Sequence, residues 1–333
     1  MVGEGDRVAI VLQDDPDPDG MASAMALRTL LGRNKQTTPL FAFKPVTRPE
    51  NRTMEHLLEI EIQPADTEEL RAFDKIAMVD VQPPYFGEKI PRADIVIDHH
   101  TGYPGGAAEF EDVRTKYGAT ATIMTEYLVT ADEKISERLA TALLYGIRSD
   151  TLALSRRVTD DDLQAFTLLV PLANYSMLRQ IDRPELPLSF ARILARAMKR
   201  MVVKDRLVVL NLGHVERDDL IVQMADFCLQ FEGVAWVAVA GKLSGKLVIS
   251  VRNHGMSGDN AGEAVKNLFA DIGSAGGHRN MAKAVIPLRA WRRREGTTRD
   301  AQIESRLREL FAAAIKGDAE AGGARSAPGR NGN

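Results

Sequence analysis

Residues 11–24, VLQDDPDPDGMASA, decide how the chain is read. An apolar run ends at Leu12; Asp14, Asp15, Asp17 and Asp19 follow, interleaved with Pro16 and Pro18, and a small-residue helical pattern starts at Gly20. A strand passing through a tight turn into a helix is the opening of a βα unit. Asp, Pro and Gly are also the ordinary residues of an acidic surface turn, so taken alone the run leaves two readings open, a solvated turn and a cation site.

Working outward, RVAIVLQ, TPLFAF, KIAMVD and DIVIDHH alternate with helical patterns such as GMASAMALRTLLG and NRTMEHLLE. Continuous apolar runs alternating with helices indicate a parallel sheet covered on both faces. From Ala119 the pattern turns helical, and Thr159 with Asp162 three residues on reads as a helix N-terminus. The expected fold class is α/β: a parallel-sheet domain over 1–182, a helical connector over 183–203, and a smaller α/β domain over 204–290. An amphipathic helix and a disordered Gly/Ala/Arg tail are expected over 291–333.

The 333 residues are 44% hydrophobic and 27% charged, which suits a soluble globular protein. No apolar stretch approaches the roughly 20 residues of a membrane span. The acidic lead MVGEGD is unlike a signal peptide, so the expected location is the cytoplasm. The single Cys228 excludes an internal disulfide and a thiolate metal cage, and its apolar neighbours suggest a buried helix face. A formal charge of -3 counts against a general positive field for long nucleic acid, so a nucleic-acid partner is expected to be short.

Several apolar elements end in an acid: VAIVLQ runs into Asp14 to Asp19, KIAMV into Asp80, DIVI into Asp98, and LLYGIRS into Asp150. The carboxyl ends of neighbouring strands in an open parallel sheet face one crevice, so these acids can converge. Converging carboxylates repel and raise one another's pKa unless a cation sits among them, and a divalent pair answers that need. Asp80 or Asp150 alone reads as a helix cap or surface acid, and the pair His99–His100 alone is a weak metal signal. The joint pattern carries the reading.

The ordered motifs DPDPDGMASA, VDVQPP, VIDHHTG, YGATA and GIRSDT, then VRN, AGEA and GSAGGHRNMA, resemble the DHH phosphoesterase family with its DHH-associated C-terminal domain, over roughly residues 6 to 288. Within it the chain is most similar to stand-alone members, the nanoRNases, that degrade very short RNA, linear dinucleotides or 3'-phosphoadenosine 5'-phosphate. Its first domain also resembles RecJ-like exonucleases and family II pyrophosphatases. The resemblance implies that Asp17 holds one metal, Asp19 the other, and Asp80 bridges both, with His99 and Asp150 completing the second site. It also implies that Asp98 orients a neighbour and His100 faces the substrate phosphate. Carboxylates with a minority of imidazoles suit Mn²⁺, with Mg²⁺ as the alternative. Two ions roughly 3.5 to 4 Å apart would activate a hydroxide and stabilise the phosphoryl oxygens. The family's first motif usually opens with a histidine where this chain has Gln13, a weaker ligand; Asp14 or Asp15 would be the substitutes.

In the second domain Gly273, Gly276 and Gly277 surround His278, and the resemblance makes this a substrate-gripping loop rather than a plain turn. Arg252 and Asn253 are expected to point an arginine fork and an amide to the same interdomain cleft. Trp291 and the arginines around it offer stacking and RNA contacts, against the plainer account of a solvated helix start; Trp236 reads as core. His56 and His214 have no evident partners. Three functions follow: a two-metal phosphoesterase cleaving short oligoribonucleotides, dinucleotides or 3'-phosphoadenosine 5'-phosphate; a catalytically weak nucleotide-binding regulator, suggested by Gln13; and a pyrophosphatase-like hydrolase. Oligomeric state stays open, a homodimer included.

Overall fold

The strand β1 (Val8–Val11) is fully buried on both faces, Val8 and Ile10 toward one core and Ala9 and Val11 toward another. That is the burial of a central strand in a sheet covered on both sides. The computed structural model describes residues 2–102, 106, 108–155, 158–185, 188–255 and 259–324, without the side chains of 316–324. Two units divide the chain, 1–185 and 186–333.

In the first unit β1 is joined by β2 (Leu40–Ala42), β3 (Ile62–Pro64), β4 (Lys75–Val79), β5 (Ile95–Asp98) and β6 (Phe110–Val113). The order is β3-β2-β1-β4-β5-β6, all pairs parallel. The helices are α1 (Pro18–Leu30), α2 (Pro49–Leu57), α3 (Thr67–Leu70), α4 (Thr120–Thr130), α5 (Glu137–Asp150), α6 (Asp160–Leu169) and α7 (Tyr175–Asp182). Strand order reverses between β1 and β4, and the loops leaving their carboxyl ends open a crevice there. α1 starts cleanly because Asp17 caps it, Pro18 sits in its first turn, and Asp19 adds acid at the positive end. α6 carries the expected reciprocal cap between Thr159 and Asp162.

The second unit contains α8 (Leu188–Met198), β7 (Val203–Lys204), β8 (Leu207–His214), α9 (Asp219–Leu229), β9 (Trp236–Leu243), β10 (Lys246–Asn253), α10 (Ala261–Phe269), β11 (Ser274–Gly277), β12 (Met281–Pro287), α11 (Leu288–Glu295) and α12 (Asp300–Ala324). Its sheet runs β11-β12-β10-β9-β8-β7, parallel only between β8 and β9. α8 lies in the stretch read as a connector, yet Phe190 and Ala197 are buried in this unit's core. Residues 186 and 187 of that stretch lie outside the described residues, as does 325–333 of the expected tail.

Three expectations are corrected. Gly276 and Gly277 belong to β11, where ladder bonds to β12 hold a glycine run that looks like a turn in sequence. Adding a Cβ to Gly262 on α10 would bring it 2.4 Å from the Gly277 carbonyl oxygen, so these glycines let helix and hairpin backbones touch. Trp291 is fully buried with Ile303, Leu307 and Phe311, leaving no face for stacking. The region from 291 forms two helices, of which α12 reaches Ala324. Trp236 and Cys228 are buried as expected. No helix among the described residues is long and apolar enough to cross a membrane.

Candidate metal centre

The acidic turn after β1 is built, not loose. Asp15 takes a left-handed φ of 55° and spends both carboxylate oxygens on Thr47, accepting from its backbone N–H and its hydroxyl. Asn51 donates to the Pro16 carbonyl from a buried position. Asp14 pairs with Lys44. Asp15 is therefore not a free ligand to stand in for a histidine at position 13.

Asp19 is fully buried, and its two oxygens accept the backbone N–H groups of Thr120 and Ala121, each at 2.7 Å. The residue before α4, Ala119, offers no side-chain cap, so Asp19 caps that helix from 101 residues away in sequence. Two charge-assisted bonds of about 1.5–3 kcal/mol each do not outweigh the several kcal/mol of burying an ion beside others. Burial, then the charge of Asp150, accordingly push the Asp19 carboxyl up to about 7.

Asp80 leaves β4 with a left-handed φ of 61°, a conformation Asp tolerates better than most residues. Its Oδ1 accepts from the Thr120 hydroxyl at 2.9 Å; its Oδ2 is buried with no partner. Burial first, then the charges of Asp19, Asp17, Asp150 and Asp98, raise its carboxyl well above the usual range. Asp17 is raised likewise, by burial and then by Asp150. One Asp17 oxygen accepts from the Gly20 N–H at 3.0 Å and the other from the Gln13 amide at 2.6 Å.

His99 sits among these acids. Its Nδ1 faces the Tyr117 carbonyl oxygen at 3.1 Å, which makes that nitrogen the donor and turns Nε2 inward. Nε2 lies 3.3 Å from Asp150 Oδ2, 3.6 Å from Asp80 Oδ1 and 3.8 Å from Asp19 Oδ2, and none of these is a well-formed hydrogen bond. Burial alone would lower the imidazole, but Asp150 and Asp19 win and raise it to about 9. His100 directs Nδ1 to Asp98 Oδ1 at 2.9 Å and leaves about half of its side chain exposed. Asp98 is fully buried, which would push its carboxyl up, yet the bonds from His100 and Gln82 hold it below the usual range.

The donor atoms fall into two groups, each within 4.8 Å: Asp80, His99 and His100, and Asp19, His99 and Asp150. A metal fits here on the structure's own terms, because two inward-facing buried atoms, Asp80 Oδ2 and His99 Nε2, lack partners amid mutually repelling carboxylates. The structure brings together Asp19, Asp80, His99, His100 and Asp150, with Asp98 on His100, and Asp17 joins them through charge while its oxygens are occupied.

Residues 7–147 match the DHH family, N-terminal domain. This stretch is a DHH-family domain. The DHH family is one of divalent-metal-dependent phosphoesterases, and the acids and imidazoles grouped here are ones that could hold a metal ion. An uncharacterized protein of Methanocaldococcus jannaschii is 34% identical over 309 residues, 92% of this chain and 62% of that protein, so the chain spans less than two thirds of that relative. An exopolyphosphatase-related protein from Bacteroides fragilis shares the fold with a TM-score of 0.64 at 14% identity, over 93% of this chain and 92% of that one. RecJ from Thermus thermophilus, solved with Mn²⁺, gives a TM-score of 0.46 at 15% identity over 94% of this chain and 52% of its own.

Positioning residues that sequence reasoning passed over are Thr120, which touches both Asp19 and Asp80, Tyr117, which sets the His99 tautomer, and Gln82, which donates to Asp98 and the His100 carbonyl. In the second unit Arg252 is ion-paired with Asp226. Asn253 is buried, donating to the Arg279 carbonyl and accepting from Gly255 N–H. His278 keeps its side chain exposed on the turn between β11 and β12.

Proposed function

We propose that the chain is a cytoplasmic, Mn²⁺-dependent phosphoesterase that hydrolyses short oligoribonucleotides or linear dinucleotides to mononucleotides, or removes the 3'-phosphate of 3'-phosphoadenosine 5'-phosphate. The observation that carries this reading is the sharing of His99 Nε2 between two donor groups that together hold Asp19, Asp80, His100 and Asp150. In this reading Asp17, Asp19, Asp80, His99 and Asp150 hold two ions. Bound ions would supply Lewis-acid charge for the phosphoryl oxygens and a more acidic water. Asp98 holds the His100 ring through Nδ1, so Nε2 is the nitrogen left to meet a substrate phosphate. Of the second-unit candidates Arg252, Asn253, Gly276, Gly277 and His278, the exposed His278 is the one best placed to meet an anion, since Arg252 and Asn253 are engaged.

The test is cleavage of a radiolabelled dinucleotide with Mn²⁺ by the parent, Asp80→Ala and Asp150→Ala. Equal rates for all three would remove the metal mechanism. A second reading, a nucleotide-binding regulator without turnover, is favoured by one contact, the Gln13 amide on Asp17. Tight dinucleotide binding with no cleavage at any metal concentration would support it.

A further inference from the structure

Beside the metal centre lies a cavity of about 290 Å³ whose lining joins Asp80, Asp98 and His100 with Val81, Pro84 and Tyr85. The first three belong to the centre already described. The last three are largely apolar, and nothing in phosphate chemistry needs them.

Tyr85 is 53% exposed, although it ends an anchored turn. Pro83 and Pro84 open a single 3-10 turn with fixed φ values. The Tyr85 and Phe86 N–H groups donate to the Gln82 and Pro83 carbonyls at 3.0 and 3.1 Å. The Tyr85 ring stands edge-on to Phe86, centroids 4.9 Å apart, and Phe86 is itself buried against Phe43. At the turn's start, the Gln82 side chain is anchored on Asp98 and on the His100 carbonyl. The ring is thus presented by a rigid support rather than left on a loose loop. A single exposed tyrosine is ordinary on a protein surface. One held by an anchored turn and lining the same cavity as Asp80, Asp98 and His100 is placed to receive a flat apolar ligand.

Inorganic phosphate, pyrophosphate and polyphosphate have no surface of that kind; a nucleobase does, and any base stacks on an aromatic ring without a sequence code. The volume sits at the lower end of ligand pockets, about 300–1,000 Å³, which suits one nucleoside unit rather than a folded chain. We infer that Tyr85 is the stacking platform for the nucleobase next to the scissile phosphate, and that it selects nucleotide esters over base-free phosphates. This deepens the phosphoesterase reading and rests on the same site.

The test measures binding without turnover. A dinucleotide whose scissile P–O bond is replaced by P–CH₂ is titrated calorimetrically, with Mn²⁺, into the full chain. Two further analogues each lack one base. Tyr85→Ala is expected to weaken the complete analogue at least about fivefold, and Tyr85→Phe to stay within about twofold. For one of the two base-deleted analogues, Tyr85→Ala is expected to bind as the parent does. Matching thermal melts of the parent and both variants show that the fold is intact. Equal weakening of all three analogues by Tyr85→Ala, or weakening of none, overturns the inference. Failure of the phosphoesterase reading shows separately, as no cleavage of the ordinary dinucleotide by the parent.

Discussion

The Gln13 side-chain amide donates to Asp17 Oδ2 over 2.6 Å, so the residue where the family usually has an imidazole ligand instead holds a neighbouring carboxylate. With Oδ1 taken by the Gly20 N–H, Asp17 has both oxygens engaged before any cation arrives.

Replacing Gln13 with His removes that donor and adds an imidazole. Mn²⁺ affinity in calorimetric titration is expected to rise by roughly tenfold, the lower end of what shell contacts contribute. Superimposable isotherms for Gln13→His and the parent would refute it.

Asp80→Asn separates stability from metal binding. The amide keeps an acceptor for Thr120 Oγ1, tolerates the φ of 61°, and removes a buried charge repelled by four others. The metal-free protein is expected to gain about 1–2 kcal/mol, read as a melting point several degrees higher. The stabilisation that Mn²⁺ gives the parent should vanish. A metal-free melting point below the parent's would contradict this account of the repulsion.

The pH dependence of the metal-free protein follows from its raised groups, His99 and Asp19 among them. His99, raised to about 9, contributes stability fully present below its unfolded value of 6.5 and lost as pH rises through 9. Asp19, raised to about 7, binds its proton more tightly folded than unfolded, so stability falls between about pH 4 and 7. Asp98 works in the opposite direction, but only in acid. Melting in a chelator should therefore drop steadily from pH 5 to pH 9, and saturating Mn²⁺ should flatten or reverse the slope. A chelated profile that rises over that range is the contrary result.

Thr120→Val deletes the hydroxyl bond to Asp80 while leaving the backbone donor to Asp19 in place. A cost of about 1–2 kcal/mol is expected, together with weaker Mn²⁺ binding, and Thr120→Ser should restore both. Chemical denaturation and metal titration of the two variants decide the point.

Gly146 lets the helix bearing Asp150 pack on the one bearing Asp19: a Cβ there would lie 3.2 Å from the Asp19 Cα and from the Pro18 carbonyl oxygen. Gly146→Val should force α1 and α5 apart, cost about 1–3 kcal/mol, and weaken Mn²⁺ binding although no ligand is touched. Unchanged metal affinity would show the helices yielding elsewhere.

What could be read from the chain alone was whatever is local. Asp17, Asp19, Asp80 and His99 each follow an apolar run within a few residues, so the sheet and its acidic crevice were legible together. Thr120 was not, because its meaning lies in contacts 101 and 40 residues away. The edge strand β3, IQP, contains a proline and little apolar pattern, and β6, FEDV, carries two acids, so neither announces itself. The glycines of β11 read as a turn because they have no side chains to show alternation; only pairing with β12 makes them a strand.

Asp19 is both the cap of α4 and a member of a group that could hold a cation, so one carboxylate would serve architecture and chemistry at once. A chelator should then do more than strip an ion. With the charge on Asp19 no longer compensated, the amide protons of Thr120 and Ala121 should trade with solvent deuterium faster, and the start of that helix should become the first place a protease finds.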